Sequence, residues 1–173
     1  ISRATSDIEI ECSDKGLICS RLVHQLGDLQ ECRVFKIRGV RNLIRRYGPG
    51  QSFTRGGAEQ IIGNIVPPEN KLDFADYENL YIERREHDRL TPADAFNYLL
   101  GKGVFRVGLE LTCPKCSLTG WTHVDELQTK TICQFCGTEF DMTGQLKDRD
   151  WRYRRSGLFG IADQQSGSIP VAL

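Results

Sequence analysis

The spacing of apolar positions changes several times along the chain, and each change predicts a different element. Between Asp7 and Cys12, Ile8 and Ile10 alternate with polar residues as in a strand. Ser13 then caps a run in which Leu17, Ile18, Leu22 and Leu26 recur at helical spacing up to Gly27. Val34, Phe35 and Ile37 predict a second strand over Cys32 to Ile37. Val40, Leu43 and Ile44, at i, i+3 and i+4, then make one face of a short helix that ends before Gly48-Pro49-Gly50. A further helix follows Thr54, with Ala58, Ile61, Ile62 and Ile65 inward and Pro67-Pro68 as its stop.

From Glu69 the pattern is replaced by mixed charge rich in Asp and Glu, a solvated acidic connector. Thr91-Pro92-Ala93-Asp94 restarts a helix: Thr91 caps, Pro92 needs no amide hydrogen at the first position, and Asp94 meets the positive end of the dipole. Phe96, Leu99 and Leu100 face a core before Gly101 closes the helix. Val107, Leu109 and Leu111 then alternate in a strand that runs straight into Cys113. Helices and strands in this order predict an α+β fold.

Composition narrows the class. Of 173 residues, 39% are hydrophobic and 27% charged, which is the make-up of a globular chain able to bury its own core. The 23 cations balance the 23 anions, so any electrostatic recognition has to be local. No membrane-length apolar run and no signal peptide occur, so a cytoplasmic location with no membrane partner is expected. The chain begins without Met and stops on the apolar run Ile169 to Leu173, which reads as a piece of a longer protein, with other domains of that chain as partners.

The seven cysteines are too sparse for a secreted disulfide scaffold, but four of them are ordered. Cys113-Pro114-Lys115-Cys116 and Cys133-Gln134-Phe135-Cys136 form C-x2-C-x16-C-x2-C, the spacing of a four-thiolate zinc site. Two residues between thiolates allow a tight turn that points both sulfurs at one ion, and two such turns close a tetrahedron. Paired disulfides or a redox CxxC are the alternatives. Four protein thiolates leave no open position for water or substrate, so the Zn2+ is expected to be structural rather than catalytic. His123, between the two motifs, reads as a hairpin histidine.

Residues 107–142 resemble the zinc-ribbon family, in which two cysteine knuckles at the ends of β-hairpins bind one structural zinc. Cys133-Gln134-Phe135-Cys136-Gly137 with Phe140 follows the family's C-x-x-C-G pattern, whereas the first knuckle carries Ser117 where glycine is common. The resemblance implies a fold and a metal but no single function. The chain then divides into a mixed α/β region at 1–68, the acidic connector at 69–90, and a helix and strand at 91–106 leading into the ribbon at 107–142. A basic aromatic segment and the start of a following element occupy 143–173.

Cys12, Cys19 and Cys32 match no metal spacing, and the helical offset of Cys19 from His24 turns their side chains apart, so these cysteines read as packing residues. Two basic stretches carry the remaining chemistry. Between Arg33 and Arg55 lie seven cations, Arg38, Arg41, Arg45 and Arg46 among them, and no acid. Arg41 and Arg45 are i, i+4 neighbours opposite the Val40, Leu43, Ile44 face, and guanidinium suits phosphate. Beyond the ribbon, Trp151-Arg152-Tyr153-Arg154-Arg155 interleaves aromatics with arginine, which suits stacked bases and a phosphate backbone. As a strand it would place Trp151 and Tyr153 on one face and Arg152 and Arg154 on the other, so packing of its aromatics on the core is the competing reading.

No phosphate loop, HExxH, GxSxG or dinucleotide fingerprint occurs, and Glu83, Glu86 and Asp88 sit in mixed charge without a strand context. No catalytic residue is identified. The expectation is a nonenzymatic, zinc-stabilised module that binds DNA or RNA through these arginines and aromatics. The alternative is an interaction module whose ribbon docks other parts of a larger enzyme.

Overall fold

The computed structural model describes residues 13–63, 90–146 and 150–160. The strand expected over Asp7 to Cys12, most of the acidic connector and the terminal apolar run lie outside them. Within them the chain is α+β, as its periodicity predicts: four helices and a turn of 3-10 helix build an apolar core, onto which small antiparallel sheets are fused.

Helix α1 spans Asp14–Leu26 and begins where Ser13 Oγ accepts from the Gly16 amide, 3.2 Å away. Gly27 closes it at φ 122°, a conformation suited to glycine. The expected strand at Cys32 to Ile37 is instead a 3-10 helix over Glu31–Lys36. Asp28 Oδ1 accepts from the Glu31 amide at 2.9 Å and starts a turn, and Val34, Phe35 and Ile37 bury just as well from it. A short apolar run carries no period long enough to separate the two states.

Helices α2 (Arg38–Arg46) and α3 (Arg55–Gly63) cross at Gly39. A Cβ at Gly39 would lie 2.0 Å from the Ile62 carbonyl oxygen, so only glycine permits this approach. Helix α4 (Pro92–Gly101) carries the expected capping box, with Thr91 Oγ1 accepting from the Asp94 amide and Asp94 Oδ2 from the Thr91 amide. Leu22, Val40, Leu43, Ile44, Phe53, Phe96 and Leu99 fill the core between these helices. Within it Phe53 stacks with Tyr153 and Phe96 with Phe105, and the two pairs meet edge to face.

Strand β1 (Phe105–Thr112) joins this core to the cysteine region, because its two halves serve different partners. Phe105 to Gly108 pair with β5 (Arg152–Arg155), while Gly108 to Thr112 pair with β2 (Thr119–His123), giving the order β2-β1-β5. Phe105 belongs to the helical core. Leu109 and Leu111, on the same face, pack with Met142, Leu127 and Phe140 in a second, smaller cluster. That cluster is roofed by β3 (Lys130–Ile132), β4 (Glu139–Asp141) and the short α5 (Thr143–Leu146). A turn of 3-10 helix over Val124–Glu126 follows β2. The Asp125 amide donates to His123 Nδ1, which gives that histidine a local structural bond.

Candidate metal centre and basic sheet face

The two cysteine knuckles repeat one backbone pattern. In the first, Ser117 N donates to Cys113 O at 2.9 Å and Cys113 N to Leu118 O at 3.0 Å. In the second, Gly137 N donates to Cys133 O and Cys133 N to Thr138 O, both at 2.9 Å. The residue after each knuckle is left-handed, Ser117 at φ 59° and Gly137 at φ 69°. Ser117 therefore adopts the conformation that glycine would adopt with less strain, and the departure at this position leaves the turn intact.

These turns bring Cys113, Cys116, Cys133 and Cys136 together, with their sulfurs all within 4.8 Å of one another. Cys113 Sγ lies 3.7 Å from Cys136 Sγ and Cys116 Sγ 3.6 Å from Cys133 Sγ. A disulfide needs about 2.05 Å, so no pair is bonded. A tetrahedron with metal–sulfur distances of about 2.3 Å has edges of about 3.8 Å, which these separations match. Among the described residues this is the one such grouping of metal-ligating side chains, and His123 is not part of it.

Their surroundings shift three of these sulfurs in opposite directions. The Thr138 hydroxyl and amide bring the Cys136 thiol down to about 6. The Cys136 and Phe135 amides lower Cys133. At Cys116 the Leu118 amide also favours the thiolate, but burial and the adjoining sulfurs outweigh it and push the thiol up to about 12. Adjacent thiolates repel, and a positive ion among them offsets that repulsion. The donor set thus fits a thiophilic metal, and Cys113, Cys116, Cys133 and Cys136 are the residues that would hold it.

Supporting contacts fix the cluster to the fold. Gln145 of α5 accepts from the Thr112 amide at 2.9 Å and donates to the Thr112 carbonyl at 2.8 Å, closing the end of β1 beside Cys113. Leu118, Ile132 and Phe135 project from the knuckles and are half exposed or more. Cys19 and Cys32 stand apart from the cluster. The Cys32 thiol is pushed up by burial, with Asp28 and Glu31 adding to it, and it faces the Asp28 carbonyl.

The predicted basic residues divide by role. On α2, Arg38, Arg45 and Arg46 are exposed. Arg41 instead turns back to donate to the Phe35 carbonyl and to the Lys36 carbonyl at 2.9 Å, closing the preceding 3-10 helix. Arg155, also expected to face nucleic acid, lies on the inner face of β5, only 4% exposed, and donates to the Ile44 carbonyl at 3.1 Å. Tyr153 shares that face and is buried against Phe53 and Phe96. Trp151 lies just before β5 and is half exposed rather than packed with Tyr153. Two-residue alternation places Tyr153 opposite Arg152 and Arg154, but it also puts Arg155 inward, where the carbonyl end of α2 accepts from it.

Arg152 and Arg154 therefore share the outer sheet face with Arg106, Glu110, Trp121 and His123, by the register of the three strands. Nothing in the sequence singles out Arg106 and Trp121, since only the pairing of β1 with β2 and β5 brings them to the arginines. Glu110 lies 3.7 Å from Arg152 Nε and accepts from the Ser52 hydroxyl. Ser52 also lines a groove with Arg46, Tyr47 and Gln51, so the exposed end of α2 adjoins this sheet face.

No protein-family model, curated protein or solved structure matches the chain. Its class is defined by its own geometry: an α+β protein in which a four-cysteine cluster positioned to hold a metal ion is grafted onto a helical core through one shared strand.

Proposed function

We propose that this chain is a zinc-stabilised nucleic-acid-binding module of a larger cytoplasmic protein, nonenzymatic in itself. In this reading one structural Zn2+ sits among Cys113, Cys116, Cys133 and Cys136 in a zinc ribbon, closed to substrate because all four positions are filled by thiolates. The observation that supports the binding function is that Arg46 lines a groove with Ser52, whose hydroxyl bonds Glu110 beside Arg152 on the outer sheet face that Arg154 shares. Guanidiniums spread over one face suit a phosphate backbone, which supplies repeated anionic contacts, and the exposed Trp151 beside them suits an unpaired base. Arg155, Tyr153 and Arg41 serve the fold in this scheme.

Fluorescence anisotropy with labelled single-stranded and duplex oligonucleotides tests the reading. Replacing Arg45 and Arg46 together by Glu should weaken binding about tenfold or more and flatten its dependence on salt. Absence of binding by the unaltered protein at low salt would sink it. One observation supports a docking role instead: Leu118, Ile132 and Phe135 expose an apolar tip on the ribbon, which other domains of the same longer chain could cover.

A further inference from the structure

Arg106 and Arg154 face one another directly across β1 and β5, and both lie over the ring of Trp121. The guanidinium carbons are 5.5 Å and 4.7 Å from the indole. Trp121 reaches them because Gly108 has no side chain: a Cβ there would lie 2.6 Å from the indole, so the ring crosses the strand flat. Like charges directly opposite in an antiparallel pair cost stability. Among the described residues neither guanidinium has a carboxylate within ion-pair distance or a hydrogen-bond acceptor, and Arg154 Nε is buried without a partner. The nearest acid on this face, Glu110, is committed to Ser52 and Arg152. Burial pushes Arg154 below its ordinary pKa and Arg106 adds to the effect, with Glu110 opposing it.

We infer that Arg106 and Arg154 form a clamp for one backbone phosphate of a nucleic acid, with Trp121 as the positioning residue that holds both guanidiniums in place. A phosphodiester between them supplies the acceptors that both lack and cancels their repulsion. The indole contributes by fixing two flexible side chains before the ligand arrives, which lowers the entropy cost of binding. The inference rests on the nucleic-acid reading above and adds Arg106 and Trp121 to it; its variants leave Arg45 and Arg46 in place, so the two can fail separately.

The test is anisotropy titration of the full chain with a labelled single-stranded thymidine oligonucleotide at several salt concentrations. Arg106→Gln and Arg154→Gln should each weaken binding about tenfold, and the double variant should flatten the salt slope by about 0.7, the value for one phosphate that is no longer neutralised. Arg106 is exposed, so its replacement tests the clamp without threatening the fold. Trp121→Phe should keep most of the affinity and Trp121→Leu should lose it, a rescue that a merely structural role would not give. If the unaltered protein binds and the double variant matches it within about twofold at unchanged salt slope, the clamp is overturned while the broader reading stands. If the unaltered protein does not bind, both fall. The part of the tryptophan fluorescence change that Trp121→Phe removes should appear with the oligonucleotide and not with inorganic phosphate at equal phosphate concentration. An equal response to both would mark a free-anion site and overturn the clamp.

Discussion

Arg155 reaches inward from β5 to donate to the carbonyl of Ile44 in the last turn of α2, 3.1 Å away. A cation at the carbonyl end of a helix is favoured by the dipole, and this one ties the sheet to the arginine-bearing helix. Arg155→Ala should cost about 2–4 kcal/mol, combining a charge-assisted hydrogen bond with a cavity, as measured by urea denaturation. Oligonucleotide affinity of the folded variant should stay near that of the unaltered protein, since this guanidinium is not on the surface.

Gly39 offers a second test of the core. Its α-carbon meets the backbone of Ile62, which cannot move aside as a side chain would. Gly39→Ala should destabilise by about 3 kcal/mol, at the upper end for overpacking, despite the better helix propensity of alanine. A denaturation midpoint at or above the original would contradict the close crossing of α2 and α3.

Metal content checks the cysteine cluster. The purified chain should carry zinc in a one-to-one ratio by elemental analysis, and Cys133→Ser should abolish it. Thiols must lose their protons to bind, so zinc release should increase as pH falls. The cluster beneath the knuckles has only Leu109, Leu111 and Met142 fully buried, too little to fold by itself. Metal removal should therefore erase the near-ultraviolet signal of Trp121 before the helical core melts.

Ser117 is the strained position of the first knuckle at φ 59°. Ser117→Gly should stabilise the metal-bound protein by about 0.5–1 kcal/mol, and Ser117→Val should destabilise it by more. Thermal midpoints of the two variants provide the check.

The Asp141 carboxyl is held below its ordinary value of 3.8 by the Thr143 hydroxyl and amide, with Lys130 adding to the effect. Its folded pKa is lower than its unfolded one, so its contribution is present above the unfolded value and is lost as pH falls through the folded one. An NMR titration should place its midpoint below 3.8, and Thr143→Val should raise it.

Legibility in the sequence follows the range of the interaction. Ser13, Thr91 and Asp94 set helix starts through bonds to amides three residues away, so α1 and α4 are readable from a few letters. The cysteine grouping is readable for the same reason, because each knuckle closes within a few residues of itself. Cys32 to Ile37 reads as a strand and folds as a 3-10 helix because its apolar run is shorter than the period that would define it.

By itself, then, the sequence determined the α+β class, the starts of α1 and α4 and the four thiols that meet around one point. The tertiary structure decided which arginines face outward and which are consumed by the fold. Arg41 and Arg155 bond to carbonyls of elements packed against their own, and Arg106 and Arg154 meet over Trp121 only because β1 pairs with two strands at once. Such contacts depend on strand register and helix packing, which arise from burial of apolar surface over the whole chain rather than from any short spacing of residues.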